Sequence, residues 1–244
     1  MPEASNRAGA GVPPAGDEIT RILKAYRTRE AAGLGKRYSL FSPAQLFAVQ
    51  QREREMLNLL PRLGVGELSR KRILEVGCGS GVVLRDLVRY GARPEFCYGI
   101  DLLPKRVAKA RGLSPNMTVR IGNAAEMGFE DGYFDLVLSF TLFSSILERE
   151  LKVRVAAQML RVLKPAGVIL WYDFFRNNPG NLQVRGITRR EVEELFPGCQ
   201  VYLKRITLAP PLARLLAPYS WWACYVLEKL KFFNTHYLGA ITRQ

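Results

Sequence analysis

The run Glu75-Val76-Gly77-Cys78-Gly79-Ser80-Gly81 follows the apolar pair Ile73-Leu74, and Asp101 closes Tyr98-Gly99-Ile100-Asp101 further along the chain. This reads as a strand, a glycine turn opening a helix, and a second strand ending in a carboxylate. Glycines at alternate positions let the backbone turn sharply and keep side chains from between its N–H groups and a ligand. An acidic residue about 20 positions on is placed to accept hydrogen bonds from ribose hydroxyls. The combination predicts an adenosine-containing cofactor, whereas the glycine triplet alone is equally a structural turn. A dinucleotide fingerprint, Gly-x-Gly-x-x-Gly, would need its last glycine where Val82 stands; here the third glycine, Gly81, comes one residue early.

Other residues suit proton transfer or acceptor binding. His236 is the sole histidine and a candidate general base, although a lone histidine is as readily structural. Asp173, in Trp171-Tyr172-Asp173-Phe174-Phe175-Arg176-Asn177-Asn178-Pro179, is a second candidate base, with Arg176 available to an anionic group. Ordinary loop capping accounts for the same residues. Tyr38 and Phe41 either close over the cofactor or pack helices. Trp221 and Trp222 line an acceptor pocket, rest on a membrane surface or cover the sheet edge. Cys78, Cys97, Cys199 and Cys224 are scattered with no C-x-x-C pair, so neither a metal site nor a disulfide framework is expected.

The elements that must position these groups follow from periodicity. Residues 1–16 are rich in Gly, Pro and Ala and read as a disordered tail. Asp17 or Thr20 caps a basic helix through Ile22, Leu23 and Tyr26, and Ser42-Pro43 starts a second, giving a helical cap over 17–69. From Arg72 apolar runs alternate with helical patterns: strands at 73–76, 96–100, 117–121, 134–140, 168–172 and 201–208, with helices at 81–89, 104–111, 151–163 and 188–196. Such alternation predicts an α/β, Rossmann-like doubly wound sheet over 70–208. Pro210-Pro211 opens an aromatic insert over 209–234, and a last strand runs through 235–244. With no ordinary crossover helix before it, this strand is expected to be antiparallel, paired with its predecessor. The insert and His236 then sit at the carboxyl end of the sheet, where open α/β sheets bind ligands.

With Glu75 two residues before Gly77, the turn reads acidic-x-Gly-x-Gly-x-Gly and resembles class I S-adenosylmethionine-dependent methyltransferases, over roughly residues 70–208. The resemblance implies a seven-stranded sheet with an antiparallel last strand and S-adenosylmethionine as cofactor. It implies that Gly77, Cys78, Gly79 and Gly81 pack against the amino-acid end and ribose, that Glu75 orients the turn and meets the amino group, and that Asp101 takes the ribose hydroxyls. Leu102 would cover one face of the adenine. Gly122-Asn123-Ala124 resembles the third motif, with Asn123 where an Asp usually meets the adenine amino group. Phe140 and Thr141 would arrive beside the methionine portion, and Leu163-Lys164-Pro165-Ala166-Gly167 would form the turn before the fifth strand.

The formal net charge of +14 fits nucleic acid, an anionic membrane surface or substrate, or a basic host proteome; basic residues are dispersed, which favours the last. Nucleic acid is therefore not the expected partner. No apolar run reaches the roughly 18 residues of a membrane span and no signal peptide is seen, so a cytoplasmic protein is expected, with peripheral membrane contact left open. The leading expectation is O-methylation of a small acceptor such as a sugar, glycan precursor or secondary metabolite. An RNA or protein methyltransferase and a non-catalytic cofactor-binding module are the alternatives. Ser139-Phe140-Thr141-Leu142 lacks the Asp/Asn-Pro-Pro-aromatic motif of base amino methylation.

Overall fold

A computed structural model describes residues 16–31, 33, 39–177 and 180–244. Tyr38, Asn178, Pro179 and nearly all of the expected tail lie outside these residues. Gly16 starts the first helix, its carbonyl accepting the Thr20 N–H at 3.2 Å.

Seven strands form one sheet: β1 (Ile73–Val76), β2 (Cys97–Asp101), β3 (Thr118–Ile121), β4 (Phe134–Phe140), β5 (Leu163–Phe174), β6 (Cys199–Leu208) and β7 (Asn234–Arg243), in the order β3-β2-β1-β4-β5-β7-β6. The pairs from β3 through β5 are parallel, and β7 lies antiparallel between β5 and β6. Helices α1 (Asp17–Ala31), α5 (Arg149–Val162) and α6 (Arg189–Leu195) cover one face. Helices α2 (Pro43–Leu59), α3 (Val82–Arg89) and α4 (Pro104–Leu113) cover the other. The aromatic insert forms α7 (Pro210–Leu216) and α8 (Trp221–Lys229).

Strand residues alternate between two cores, as a two-residue side-chain period requires. Ile169, Trp171, Tyr237 and Ile241 join the α1/α5/α6 core, while Leu170, Tyr172, Leu238 and Ala240 join the α2/α3/α4 core. The alternating pattern predicted from residue 72 onward and the antiparallel last strand are both found. The fifth strand differs, because it begins at Leu163, five residues before the expected Val168. Leu163 pairs with Phe134, and a bulge there carries the segment expected as a turn into the strand.

Gly239 sits in β7 between two partner strands, and a Cβ there would run into the Tyr202 carbonyl oxygen and crowd Leu203 at 2.8 Å. Gly239→Ala is therefore expected to destabilise the protein by about 3 kcal/mol or more. Urea denaturation checks this, and a midpoint unchanged from wild type would contradict it.

Candidate active site

The chain changes direction across the sheet between β1 and β4, and the ends of β1, β2, β3 and β4 open on one side. Such switch points leave a crevice at the carboxyl ends of parallel strands. Gly77, Gly79 and Gly81 all take left-handed conformations, with φ of 73°, 53° and 71°, which glycine adopts without a Cβ penalty. The N–H groups of Gly77 and Cys78 donate to the Ile100 carbonyl at 2.8 and 3.1 Å, Gly81 donates to Cys78 at 2.8 Å, and Gly79 donates to Asp101 Oδ2 at 2.8 Å. These N–H groups therefore brace β1 against β2. This corrects the expectation that the turn would offer these four N–H groups to a ligand.

Asp101 accepts a second N–H, from Leu103 to Oδ1 at 2.9 Å. Each oxygen keeps a lone pair for a hydroxyl donor. Burial raises its pKa, opposed by the two N–H groups and the Arg106 guanidinium. Asp101 and Leu102 line a cleft with about 780 Å³ of free space including its mouth, together with Gly77, Asn123, Ala124, Phe140 and Thr141. Asn123 Oδ1 accepts the Ala125 N–H at 2.9 Å, which orients the amide and leaves its NH2 group as a donor.

Thr141 follows β4 with φ of 54°, unusual for a β-branched residue. Its N–H donates to Tyr172 at 2.7 Å and its hydroxyl to the Phe140 carbonyl at 2.8 Å, so the strained bend is held from both sides. The bend turns Leu142 onto the glycine turn, where its Cδ1 lies 2.9 Å from the position a Gly77 Cβ would take.

The sequence did not reveal the roof. Ile19, Ile22 and Tyr26 of α1 line the cleft, at the three- and four-residue spacing of one helix face. Glu18 accepts the Leu147 N–H at 2.6 Å, Arg21 donates to the Ser145 carbonyl at 2.7 Å, and the Tyr26 and Ser145 hydroxyls lie 3.1 Å apart. The Arg106 guanidinium stacks 4.5 Å over the Tyr26 ring and bonds Glu30 at 3.2 Å.

Glu75 lies on the other side of β1, does not line the cleft, and is 3% exposed. Among the described residues its Oε2 has no hydrogen-bond partner. Burial pushes its pKa up to about 8, opposed by the Arg52 charge and the Leu84 N–H. Cys78 is buried, burial raises its thiol pKa, and its sulfur fills the space beside Gly99. Gly81 caps α3 beside Arg85 and Ala110.

The two candidate bases do not meet. Asp173 faces the α1/α5/α6 side, fully buried, accepting the N–H groups of Ser144 at 3.0 Å and Phe174 at 2.8 Å, with burial pushing its pKa up to about 6. His236 pairs with Phe174, one residue on, and so faces the opposite side. Its ring stacks on Tyr172 at 4.8 Å and its Nδ1 lies 2.9 Å from the Thr235 hydroxyl. Burial, then the Arg52 charge, pushes its pKa down to about 3, so it is neutral at ordinary pH. Neither residue lines the cleft, nor do Arg176 and Trp221. Arg176 donates to the Phe232 carbonyl at 3.0 Å, and Trp221 meets the Phe47 ring edge-on at 5.7 Å.

Residues 73–167 match the family described as a methyltransferase domain. Curated relatives include norajmaline N-methyltransferase of Rauvolfia serpentina, 31% identical over 44% of this chain and 37% of that protein. Tocopherol O-methyltransferase of Arabidopsis thaliana is 34% identical over 44% of this chain and 31% of that one. Phosphatidylethanolamine N-methyltransferase of Cereibacter sphaeroides is 34% identical over 46% and 54%. The matched part thus spans about a third to a half of these relatives' own lengths. Among solved structures, the TehB-like SAM-dependent methyltransferase of Corynebacterium glutamicum superposes with a TM-score of 0.51 at 16% identity, over 93% of this chain and 98% of that one. The [4+2]-cyclase SpnF superposes at 0.57 with 19% identity, over 78% and 80%. At such identities the likeness is one of fold, and fold does not dictate chemistry. Ordered motifs, strand order and the family match agree that residues 73–167 carry a methyltransferase domain of the class I fold, whose family uses S-adenosylmethionine.

Proposed function

We propose that this chain transfers a methyl group from S-adenosylmethionine to a small, largely apolar acceptor. The observation that supports this best is the junction of β1 and β2, where Asp101 keeps free lone pairs beside a glycine turn whose N–H groups are engaged internally. It suits a ribose with no phosphate attached. In this reading Asp101 holds the ribose hydroxyls, Leu102 and Ala124 flank the adenine, and the Asn123 amide meets its edge. Bare Gly77 and Gly79 let the amino-acid end approach. Glu75 lies behind the turn, on the side of β1 away from the cleft and neutral below about pH 8, so it backs the turn and does not contact the cofactor. When bound, the cofactor supplies a sulfonium-activated methyl group.

The chain's part is then alignment and exclusion of water. Ile19, Ile22, Ile146 and Leu151 give the cleft an apolar wall, and the Tyr26–Ser145 hydroxyl pair is its polar fixing point. A base must come within hydrogen-bond reach of the proton it removes. His236 and Asp173 lie on opposite sides of the sheet, away from the cleft walls. This supports an acceptor that is nucleophilic in its own right, and for O-methylation a phenolic hydroxyl rather than a sugar hydroxyl.

Calorimetric titration with S-adenosylmethionine tests the cofactor assignment. Asp101→Ala should weaken binding by about 100-fold, as expected for two hydrogen bonds to a charged group. Absence of heat with both the methyl donor and its demethylated product would refute the assignment.

Glu75 carries a pH signature. Its folded pKa of about 8 lies above the ordinary 4.5, so its contribution to stability is present below pH 4.5 and is lost as pH rises toward 8. Without cofactor, the melting temperature of the wild type should fall more between pH 5 and 8 than that of Glu75→Gln. Equal falls would remove the buried acid from the account.

His236→Phe should leave the pH profile of methyl transfer unchanged, because the ring's packing is retained and no proton passes through it. A loss of the acidic limb would instead assign His236 as the base.

A further inference from the structure

The surface of the described residues is unevenly apolar. Nine of its sixteen exposed large hydrophobic side chains fall within residues 40–41 and 215–232. Ala44 and Phe47 of α2 pack with Ala213 and Ala217 of α7 and Cys224 of α8. This brings the approach to α2 beside the α7–α8 corner, at the carboxyl end of the sheet. Phe41 is 99% exposed, Tyr219 88%, Trp222 76% and Leu215 64%. An exposed cluster of this kind marks an interaction surface.

The exposed charges within residues 209–233 have one sign. Between 209 and 233 the acidic residue is Glu228, fully buried and paired with Arg54 at 3.1 Å. Arg214 and Lys229 are exposed, Lys231 is partly exposed, and Lys229 rests 4.8 Å over the Tyr225 ring. Arg176 lies 5.4 Å over Phe232, bringing a further cation to the same side. Tryptophan, tyrosine and leucine flanked by cations, on a chain of net charge +14, match the two attractions of a bilayer interface: an apolar boundary that takes amphipathic rings and an anionic headgroup layer. Among the described residues no helix is long and apolar enough to cross a membrane.

We propose that the α7–α8 corner, with Leu40 and Phe41, docks this protein on the surface of an anionic bilayer. Phe41, Tyr219 and Trp222 enter the headgroup boundary while Arg214 and Lys229 meet lipid phosphates. The docking needs neither cofactor nor acceptor, so it stands or falls apart from the methyl-transfer reading.

Flotation of the full chain with vesicles tests it, comparing phosphatidylcholine containing about a third phosphatidylglycerol with phosphatidylcholine alone. The anionic vesicles should retain the protein at least about tenfold better, less so in high salt, and tryptophan emission should shift to the blue. Phe41→Ala combined with Trp222→Ala should lower retention about tenfold or more, and Arg214→Ala about fivefold. If the double variant fails to fold, Tyr219→Ser on the same corner serves in its place. Wild-type retention in folded variants, or no retention on anionic vesicles, would overturn the proposal. So would a concentration-dependent dimer that the double variant abolishes in the absence of vesicle binding, which would give this face to a second copy of the chain.

Discussion

Everything at the cleft depends on the joint between the ends of β1 and β2. The Ile100 carbonyl takes the Gly77 and Cys78 N–H groups, and the Asp101 carboxylate takes those of Gly79 and Leu103. One strand end thereby fixes both the path of the glycine turn and the start of the segment leading to α4. Burial opposes the charge on the Asp101 carboxylate, and the two N–H donors work against that shift. The same joint leaves Gly77 facing Leu142, so the β4 bend at Thr141 is tied to the geometry of β1.

The sheet also acts as an electrical partition. Glu75, Arg52 and His236 belong to one side, and Asp173 and Lys152 to the other; burial shifts Glu75 and Asp173 toward their neutral acids and His236 toward its neutral base. Near neutral pH Glu75 and His236 are thus held uncharged within packed layers, whereas Asp173, raised only to about 6, still ionises there. The cleft between the layers is walled mainly by apolar side chains, which suits a reaction whose donor arrives already activated.

Much of this was readable from residue order. The early third glycine and the spacing to Asp101 are local features, and alternation of apolar runs carried the sheet, including its antiparallel last strand. The roof was not readable, because α1 meets Ser145, Leu147 and Glu148 across more than a hundred residues, and its mixed composition suits any solvent-facing helix. Nor was the separation of His236 from Asp173. Both belong to strand ends at the ligand side, as expected, but side chains alternate, and the register that sets Asp173 opposite Tyr237 decides which face each one takes. A slip of one residue would have put His236 on the side of Asp173. Tyr38 lies outside the described residues.

The placement of β7 has a consequence for how the protein is made. Among the described residues β6 lies at the sheet edge with β7 as its one neighbour, while β7 is separated from it along the chain by α7 and α8. On the ribosome, β6 therefore emerges with no partner and must wait a few seconds, roughly, at ordinary synthesis rates before the strand that seats it appears. During that interval Val201, Leu203 and Ile206 stand without a sheet to cover them. Assembly of this end of the molecule is thus a single late event, in which the closing strand, the edge strand and the aromatic corner come together.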